Sequence, residues 1–324
     1  MRIFLTGAAG FIGYHVSRAL LDCGHEIVAV DDLNSYYDPA LKTARLARLE
    51  HARFRFTRAD IADAAALSAA AGIGPFEVTV HLAAQAGVRY ALENPASYTR
   101  SNLVGHHNML ELARRMEGSG HFIYASSSSV YGNSTTPPNS EDARADEPMS
   151  YYGATKRAGE LMSHSYAELF GLKQTGLRFF TVYGPWGRPD MAYWIFTDAI
   201  LKGRPVPLFG GDLKRDFTYI DDIVAAVLRV VETPFAADEG RAPHRIYNFG
   251  NSRPEEISTL VRAIETATGK KAIIEHRSGP EGDVRETYAD ITRAARDFGF
   301  APKMKLEEGI ARFCAWYRDY TQAV

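Results

Sequence analysis

Cysteine is nearly absent from this 324-residue chain: Cys23 and Cys314 are the only two. A disulfide framework or a cysteine-rich zinc site is thereby excluded, and both residues, lying in helix-like patterns, are expected to be buried free thiols. Long apolar runs are missing as well, so no segment reads as a membrane span. The opening "MRIFLTGAAG" reaches glycine too soon for a secretory leader, which makes the cytoplasm the expected location. Charge of one sign is also lacking. A net charge of -2 draws the surface toward neither nucleic acid nor membrane. The paired His106 and His107 have no carboxylate or cysteine cluster around them, so no metal is expected. No repeat, low-complexity tail or basic block is present.

What is present is an alternation. Strand-like runs "RIFLT", "EIVAV", "RFRFT", "VTVHLA" and "HFIYAS" are separated by helical patterns, and "KQTGLRFF" closes the series. Strands alternating with helices through short links predict an α/β fold, a doubly wound parallel sheet of Rossmann type. Helices are expected over about 98–115 and 151–170. Beyond residue 180 Pro and Gly cluster in "VYGPWGRPDM" and "KGRPVPLFGGD", with helices expected near 221–232, 255–268 and 306–320. The strand candidates "HRIYNFG" and "KAIIEH" lie between those helices. The chain therefore divides into a first domain over 1–180 and a smaller α/β lobe over 181–324, with some segments crossing back.

The first motif is "LTGAAGFIG". Gly7, Gly10 and Gly13 follow the first strand and open the first helix, beside Phe11 and Ile12. Glycines there permit a tight turn and close approach of a pyrophosphate to the backbone, while the helix N-terminus offers unpaired N–H groups. By itself the spacing also fits a plain strand-to-helix turn. The second strand, however, ends in Asp31-Asp32, followed by Asn34, where a carboxylate accepts from ribose hydroxyls and repels a 2′-phosphate; this favours NAD over NADP. Asp31 also fits a cap or turn residue. Asp60 and Ile61 after the third strand suit an adenine edge. Leu82, Ala83 and Ala84 after the fourth allow close cofactor approach. His81, inside an apolar strand, reads as core.

The second motif is "SYYGATKRAGE". Residues four apart on a helix share a face and residues five apart do not, so Tyr152, not Tyr151, points with Lys156. An ammonium beside a phenol favours phenolate and fits Tyr152 for proton transfer near neutrality. The bland alternative is a surface tyrosine beside an unrelated lysine. The third motif, "YASSSSVYG", places hydroxyls after the fifth strand, where one can bond a substrate oxygen; a polar turn is its bland reading.

These residues in this order resemble the extended short-chain dehydrogenase/reductase family nearly end to end. The family pattern selects Ser127 from the four serines and implies that Ser127, Tyr152 and Lys156 support hydride transfer, with the lysine holding the nicotinamide ribose. The segments "GGDLKRDFTYIDD" and "GPEGDVRETYAD" resemble those that bind the diphosphate in nucleotide-sugar epimerases, which implies roles for Arg215 and Arg285. "RPVPLFG", with Val206, resembles their uracil-contacting stretch. Three further stretches, "DDLNSYYDPALKTARLARL", "AAQAGVRYALENPASY" and "RFFTVYGPWGRPDM", are similar to the UDP-glucuronate 4-epimerases. That resemblance implies carboxylate recognition by Arg188, helped by Thr181 and Ser128, a wall at Gly87 to Arg89, and Arg89 as a second cation. It also implies a homodimer built on the helices over 98–115 and 151–170.

Related decarboxylases and dehydratases carry Thr-Ser-Glu or Thr-Asp-Glu where this chain has Ser127, Ser128 and Ser129, so no carboxylate is present there for a further acid/base step. The expectation is reversible C4 epimerisation of UDP-glucuronate to UDP-galacturonate. The alternatives are an epimerase of a neutral UDP-hexose, a UDP-glucuronate decarboxylase, or a non-catalytic NAD-binding module.

Overall fold

The computed structural model describes residues 1–72, 74–116, 120–133, 136–209, 213–236, 239–277 and 286–323. The chain divides into two compact units. The first holds Met1–Ser134, Arg144–Phe179 and Val224–Tyr247; the second holds Thr135–Ala143, Phe180–Ile223 and Asn248–Val324.

The first unit is organised by a seven-stranded sheet. Its strands are β1 (Arg2–Thr6), β2 (Glu26–Asp31), β3 (Phe54–Arg58), β4 (Val78–His81), β5 (His121–Ser127), β6 (Gln174–Phe179) and, beside β6 at the edge, His244–Phe249. From β1 the order runs to β2 and β3 on one side and to β4, β5 and β6 on the other, all in parallel pairs. The order reverses between β1 and β4, and open α/β sheets bind ligands at the carboxyl ends of strands flanking that reversal. The strands in the middle have almost no polar alternation: Ile3, Phe4 and Leu5 of β1 and Ile27, Val28, Ala29 and Val30 of β2 are all buried. Helices on both faces of the sheet require this.

Local chemistry sets the helix starts. Asp38 accepts from the Ala40 N–H ahead of Pro39–Ala47, with proline in the first turn, and Asp63 accepts from Ala65 and Ala66 ahead of Ala64–Ala71. Ser150 caps Tyr151–Phe170 through the Gly153 N–H at 3.0 Å, and Gly171 ends it in the left-handed conformation.

His244–Phe249 lies beyond residue 180 in sequence and joins the large sheet. Three details depart from the sequence reading. The helix expected over 98–115 contains a π-helical stretch, Thr99–Gly105, before His106–Arg115. Such turns in a helix concentrate at functional sites. Here Gly105 lets Ile61 come so close that an added Cβ would stand 2.6 Å from its side chain. Cys23 is exposed, contrary to expectation, because it caps the end of helix Phe11–Asp22; Cys314 is buried. The helix Ala192–Leu201 has no counterpart in the sequence reading: it follows directly on a Pro- and Gly-rich stretch and lacks a polar N-cap bond.

In the second unit, Lys214–Tyr219 lies between Thr181–Tyr183, parallel, and Pro254–Glu256, antiparallel, while Pro205–Phe209 pairs in parallel with Ile273–Arg277. The helices Ala192–Leu201, Ile257–Thr268, Thr292–Phe298 and Leu306–Ala323 also belong to it. Asp216, fully buried, accepts from the N–H groups of Asn251, Ser252 and Ala289 and so fastens two loops to the middle strand. Burial pushes its carboxyl up to about 6.

Candidate active site

The loop after β1 is built for close backbone approach. Gly7 has φ +79°, and a Cβ there would lie 2.7 Å from the Ala83 nitrogen; a Cβ on Gly13 would lie 2.0 Å from the Gly7 carbonyl oxygen. Only glycine meets both demands. Gly10 caps helix Phe11–Asp22 without a side-chain bond, so the first N–H groups of that helix have no side-chain acceptor from its cap. The Thr6 hydroxyl accepts from the Ala83 N–H at 3.1 Å and draws the loop after β4 against the loop after β1. Gly7, Gly10, Gly13, Ala83 and the adjoining Leu82 and Ala84 therefore border one bed of small residues at the sheet reversal. This bed fits a dinucleotide pyrophosphate: glycine where a Cβ would fill it, and a helix N-terminus behind.

Asp31 closes one end of this bed. Its carboxylate accepts from the N–H groups of Ala9 at 3.1 Å and Leu33 at 2.9 Å, so it shapes the glycine loop as well as facing any ribose. Burial pushes its carboxyl up, opposed by nearby Lys42. Asp32 holds Asn34, and the buried Lys42 ammonium donates to both the carbonyl and the side-chain oxygen of Asn34, each at 2.9 Å. Arg45, also buried, donates to the Ala9 carbonyl at 2.8 Å and the Tyr37 hydroxyl at 2.7 Å. Neither Lys42 nor Arg45 was singled out from the sequence. The signal was there: both fall on the buried face of helix Pro39–Ala47 with Leu41, where the helical pattern asks for apolar residues. Asp60 accepts from Arg100 at 2.8–2.9 Å, and the following Ile61 is buried.

The helix Tyr151–Phe170 is bolted to β5 by two charged groups. Lys156 donates to the Ala125 carbonyl at 2.9 Å. Glu160, 1% exposed, accepts from Ser126 at 2.6 Å and from Nε and one terminal nitrogen of Arg178, each at 2.8 Å. Burial pushes the Glu160 carboxyl up, but the Arg178 guanidinium, Ser126 and Arg157 outweigh it and hold it below the usual range. These bonds sort the serines. Ser126 is committed to Glu160; Ser127, next along the strand and so on the opposite face, accepts from the Ser129 N–H at 3.2 Å and caps the single turn Ser128–Val130. That turn abuts the helix start: a Cβ on Gly153 would stand 2.4 Å from the Ser129 carbonyl oxygen. The serine turn and the residue after Tyr152 are thus in contact.

The two tyrosines diverge as their spacing predicts. Tyr151 is 43% exposed and shares a hydrogen bond with Thr99 at 2.6 Å. Tyr152 is half-buried, its ring edge-on to fully buried Tyr98 at 6.1 Å, and the Tyr98 hydroxyl donates to the Gly87 carbonyl. Tyr98 therefore links the proposed wall at Gly87 to the proposed reacting phenol, whereas Arg89 is exposed. Behind Lys156 lies a small polar cavity lined by His81, Asn102, His106, Tyr124 and Thr155. Burial lowers the Lys156 ammonium to about 8, with Glu160 opposing. His81 bonds Thr6 at 2.8 Å, and burial holds it and His106, the latter at about 3, as neutral core imidazoles.

In the second unit Thr181 begins the strand Thr181–Tyr183, and Arg188 follows in the loop after it, paired with Asp190. Arg215, half-buried, donates to the Lys214 carbonyl at 2.9 Å. Val206 is 0% exposed, backbone as well as side chain, and is paired with Ile274 in the strand ladder. Arg285 lies outside the described residues.

The NAD dependent epimerase/dehydratase family matches residues 3–250. A probable UDP-glucuronate 4-epimerase from Rhizobium meliloti (strain 1021) is 46% identical, covering 100% of this chain and 99% of that protein. UDP-glucuronate 4-epimerase 3 of Arabidopsis thaliana is 46% identical over 98% of this chain and 76% of its own length. Among solved structures, UDP-glucuronic acid 4-epimerase from Bacillus cereus in complex with UDP-glucuronic acid and NAD superposes with a TM-score of 0.89. It is 33% identical and covers 99% of this chain and 100% of that one.

Proposed function

The chain belongs to the NAD dependent epimerase/dehydratase family, and on that premise we propose that it interconverts UDP-glucuronate and UDP-galacturonate by inverting C4. The observation that carries this reading is the similarity, from one end of the chain to the other, to proteins named for that reaction. The bed formed by Gly7, Gly10, Gly13 and Ala83, with Asp31 at its end, suits NAD. When bound, NAD supplies the hydride acceptor that takes hydrogen from C4 and returns it, so no net redox occurs.

This chain's own residues do the rest. Tyr152 removes the proton from the 4-hydroxyl as a phenolate, stabilised by the Lys156 ammonium four residues on. Ser127 donates to the same sugar oxygen. After the 4-keto sugar turns over in the pocket, Tyr152 returns the proton on the other face. Arg215 and Arg285 are assigned to the diphosphate, and the stretch around Val206, not the buried Val206 itself, to the uracil. Gly87 and Arg89 are assigned to the wall beside the sugar.

An acidic sugar brings a hazard. Its C4 ketone is β to the C6 carboxylate, and carbon dioxide leaves when the C5–C6 bond aligns with the carbonyl π system. Arg188, Thr181 and Ser128 are assigned to hold the carboxylate out of that alignment. A bifurcation toward decarboxylation has no carboxylate in the Ser127–Ser129 turn to assist it. The experiment is proton NMR of UDP-glucuronate and, separately, UDP-glucose incubated with the protein. UDP-galacturonate must appear; UDP-glucuronate recovered with C4 untouched refutes the reading, and faster turnover of UDP-glucose moves it to a neutral hexose.

We further propose a cytoplasmic homodimer. Leu161, Leu169 and Phe170 on helix Tyr151–Phe170 are 55%, 70% and 49% exposed, and Val104 is 45% exposed. Apolar side chains so placed suit a second copy of the same helices. Light scattering after gel filtration reports the mass directly.

A further inference from the structure

The loop carrying Arg188 is immobilised from several sides. Trp186 is held at φ +60°, a conformation that a bulky residue adopts only when its surroundings impose it. Its ring packs on Trp316 at 5.1 Å and Tyr320 at 5.6 Å, both on the last helix. Gly187 sits so tightly that a Cβ would meet the hydroxyl of fully buried Tyr193 at 2.0 Å, and that hydroxyl accepts from the Arg188 N–H at 3.2 Å. The backbone of Arg188 is therefore fixed before any ligand arrives.

The side chain is fixed too. Asp190 accepts from Nε of Arg188 at 3.0 Å through one oxygen and from a terminal nitrogen at 2.5 Å through the other. Pro189 stands between them and stiffens the span. A guanidinium carries five N–H donors in one plane, and a bidentate partner on its Nε edge sets the direction of that whole plane. The pair is about a quarter exposed on each side, and such pairs add little to stability. Its value lies in orientation.

Resting on the reading of Arg188 as the partner of the sugar carboxylate, we propose that Asp190 is a positioning residue that aims the guanidinium and thereby makes the site selective for acidic UDP-sugars. Asp190 itself touches no substrate. With its Nε edge held by Asp190, the plane of the Arg188 guanidinium is set, and releasing that hold costs the incoming ligand the entropy of ordering a long side chain.

The test is titration calorimetry on the NAD-loaded protein carrying Tyr152→Phe, so that substrate is not consumed, with UDP-glucuronate and with UDP as ligands. Adding Asp190→Asn raises the Kd of UDP-glucuronate about tenfold, one decade in the binding constant, and leaves that of UDP within about twofold. Asp190→Glu, which keeps the carboxylate, recovers part of the loss. Equal weakening of both ligands overturns the proposal, as does no change in either. Tighter UDP-glucuronate binding by Asp190→Asn overturns it as well, since Asp190 would then compete for Arg188 instead of aiming it. A thermal melt matching the parent excludes misfolding as the cause. Because the readout is binding, it stands apart from the reaction: failure of the unmutated protein to epimerise UDP-glucuronate refutes the proposed reaction, while the ratio of the two affinities still decides the role of Asp190.

Discussion

Gly153→Ala tests whether the serine turn and the tyrosine helix form one working unit. The new methyl would stand 2.4 Å from the Ser129 carbonyl oxygen and 3.2 Å from the Pro148 side chain, where ordinary contact begins near 3.4 Å. The 2.4 Å contact is with backbone, so no rotamer change relieves it. Turn and helix must part by roughly 1 Å, and a misplacement of that size costs on the order of a hundredfold in rate. That is about 2.7 kcal/mol of barrier. Overpacking adds about 1–3 kcal/mol of destabilisation. Gly159→Ala is the matched comparison, six residues further along the same helix. Its methyl's nearest contact would be the His106 ring, at 3.6 Å, an ordinary contact. Alanine in a helix interior is favoured over glycine by about 0.5–1 kcal/mol, so this variant should melt no lower than the parent and keep kcat within about twofold. The assay is kcat for UDP-glucuronate by NMR, with bound NAD measured after acid release and stability by thermal melt. Gly153→Ala should lose turnover while keeping its NAD. A Gly153→Ala protein with the parent's kcat, or two variants that lose activity equally, would refute the argument that this contact sets the reacting geometry.

Three other outcomes are expected. Tyr152→Phe should abolish turnover with NAD still bound, whereas Tyr151→Phe, which removes only an exposed bond to Thr99, should change kcat less than about threefold; comparable losses would mean the wrong tyrosine has been assigned. Glu160→Gln leaves Arg178, 2% exposed, without its counter-charge and should cost about 3–5 kcal/mol in urea unfolding; a loss under 1 kcal/mol would mean that the pair does not bolt the helix to the sheet. Lys156, lowered to about 8 from the ordinary 10.5, sheds its proton in the folded protein first, so between those values the unfolded chain binds the extra proton and this group's contribution to stability rises with pH. Activity should move the other way: log kcat/KM should fall above about pH 8 as the ammonium beside Tyr152 is lost, with no drop in melting temperature from this group. A profile flat to pH 9.5 would show that the lysine charge is not needed.

Much of this was legible in one dimension because it is local. The strand and helix periods of the first 180 residues, the glycines after β1, the acid pair ending β2 and the four-residue step from Tyr152 to Lys156 all act through neighbours along the chain; the parallel strand order is what the structure bears out. The caps at Asp38, Asp63 and Ser150 are likewise written in the few residues around each helix start.

Other features depend on residues far apart in sequence meeting in space, and no periodicity encodes that. Ser126 and Ser127 are indistinguishable as letters; Glu160, 34 residues away from Ser126, takes one and leaves the other to cap the turn. Arg45 stands on the apolar face of helix Pro39–Ala47 by periodicity, but that its partner is the Ala9 carbonyl, 36 positions back, only the fold decides. His244–Phe249 looks like part of a second lobe until β6 offers it an edge. Asp190 was an unremarked neighbour of Arg188, and only a loop pinned by Trp316 and Tyr320, over 120 residues on, shows its carboxylate gripping that guanidinium. Chain-local forces therefore determined which elements form and which residues stand at their ends. Tertiary contact decided which partner each polar group would have, because a buried donor or charge must find its complement wherever the fold delivers one.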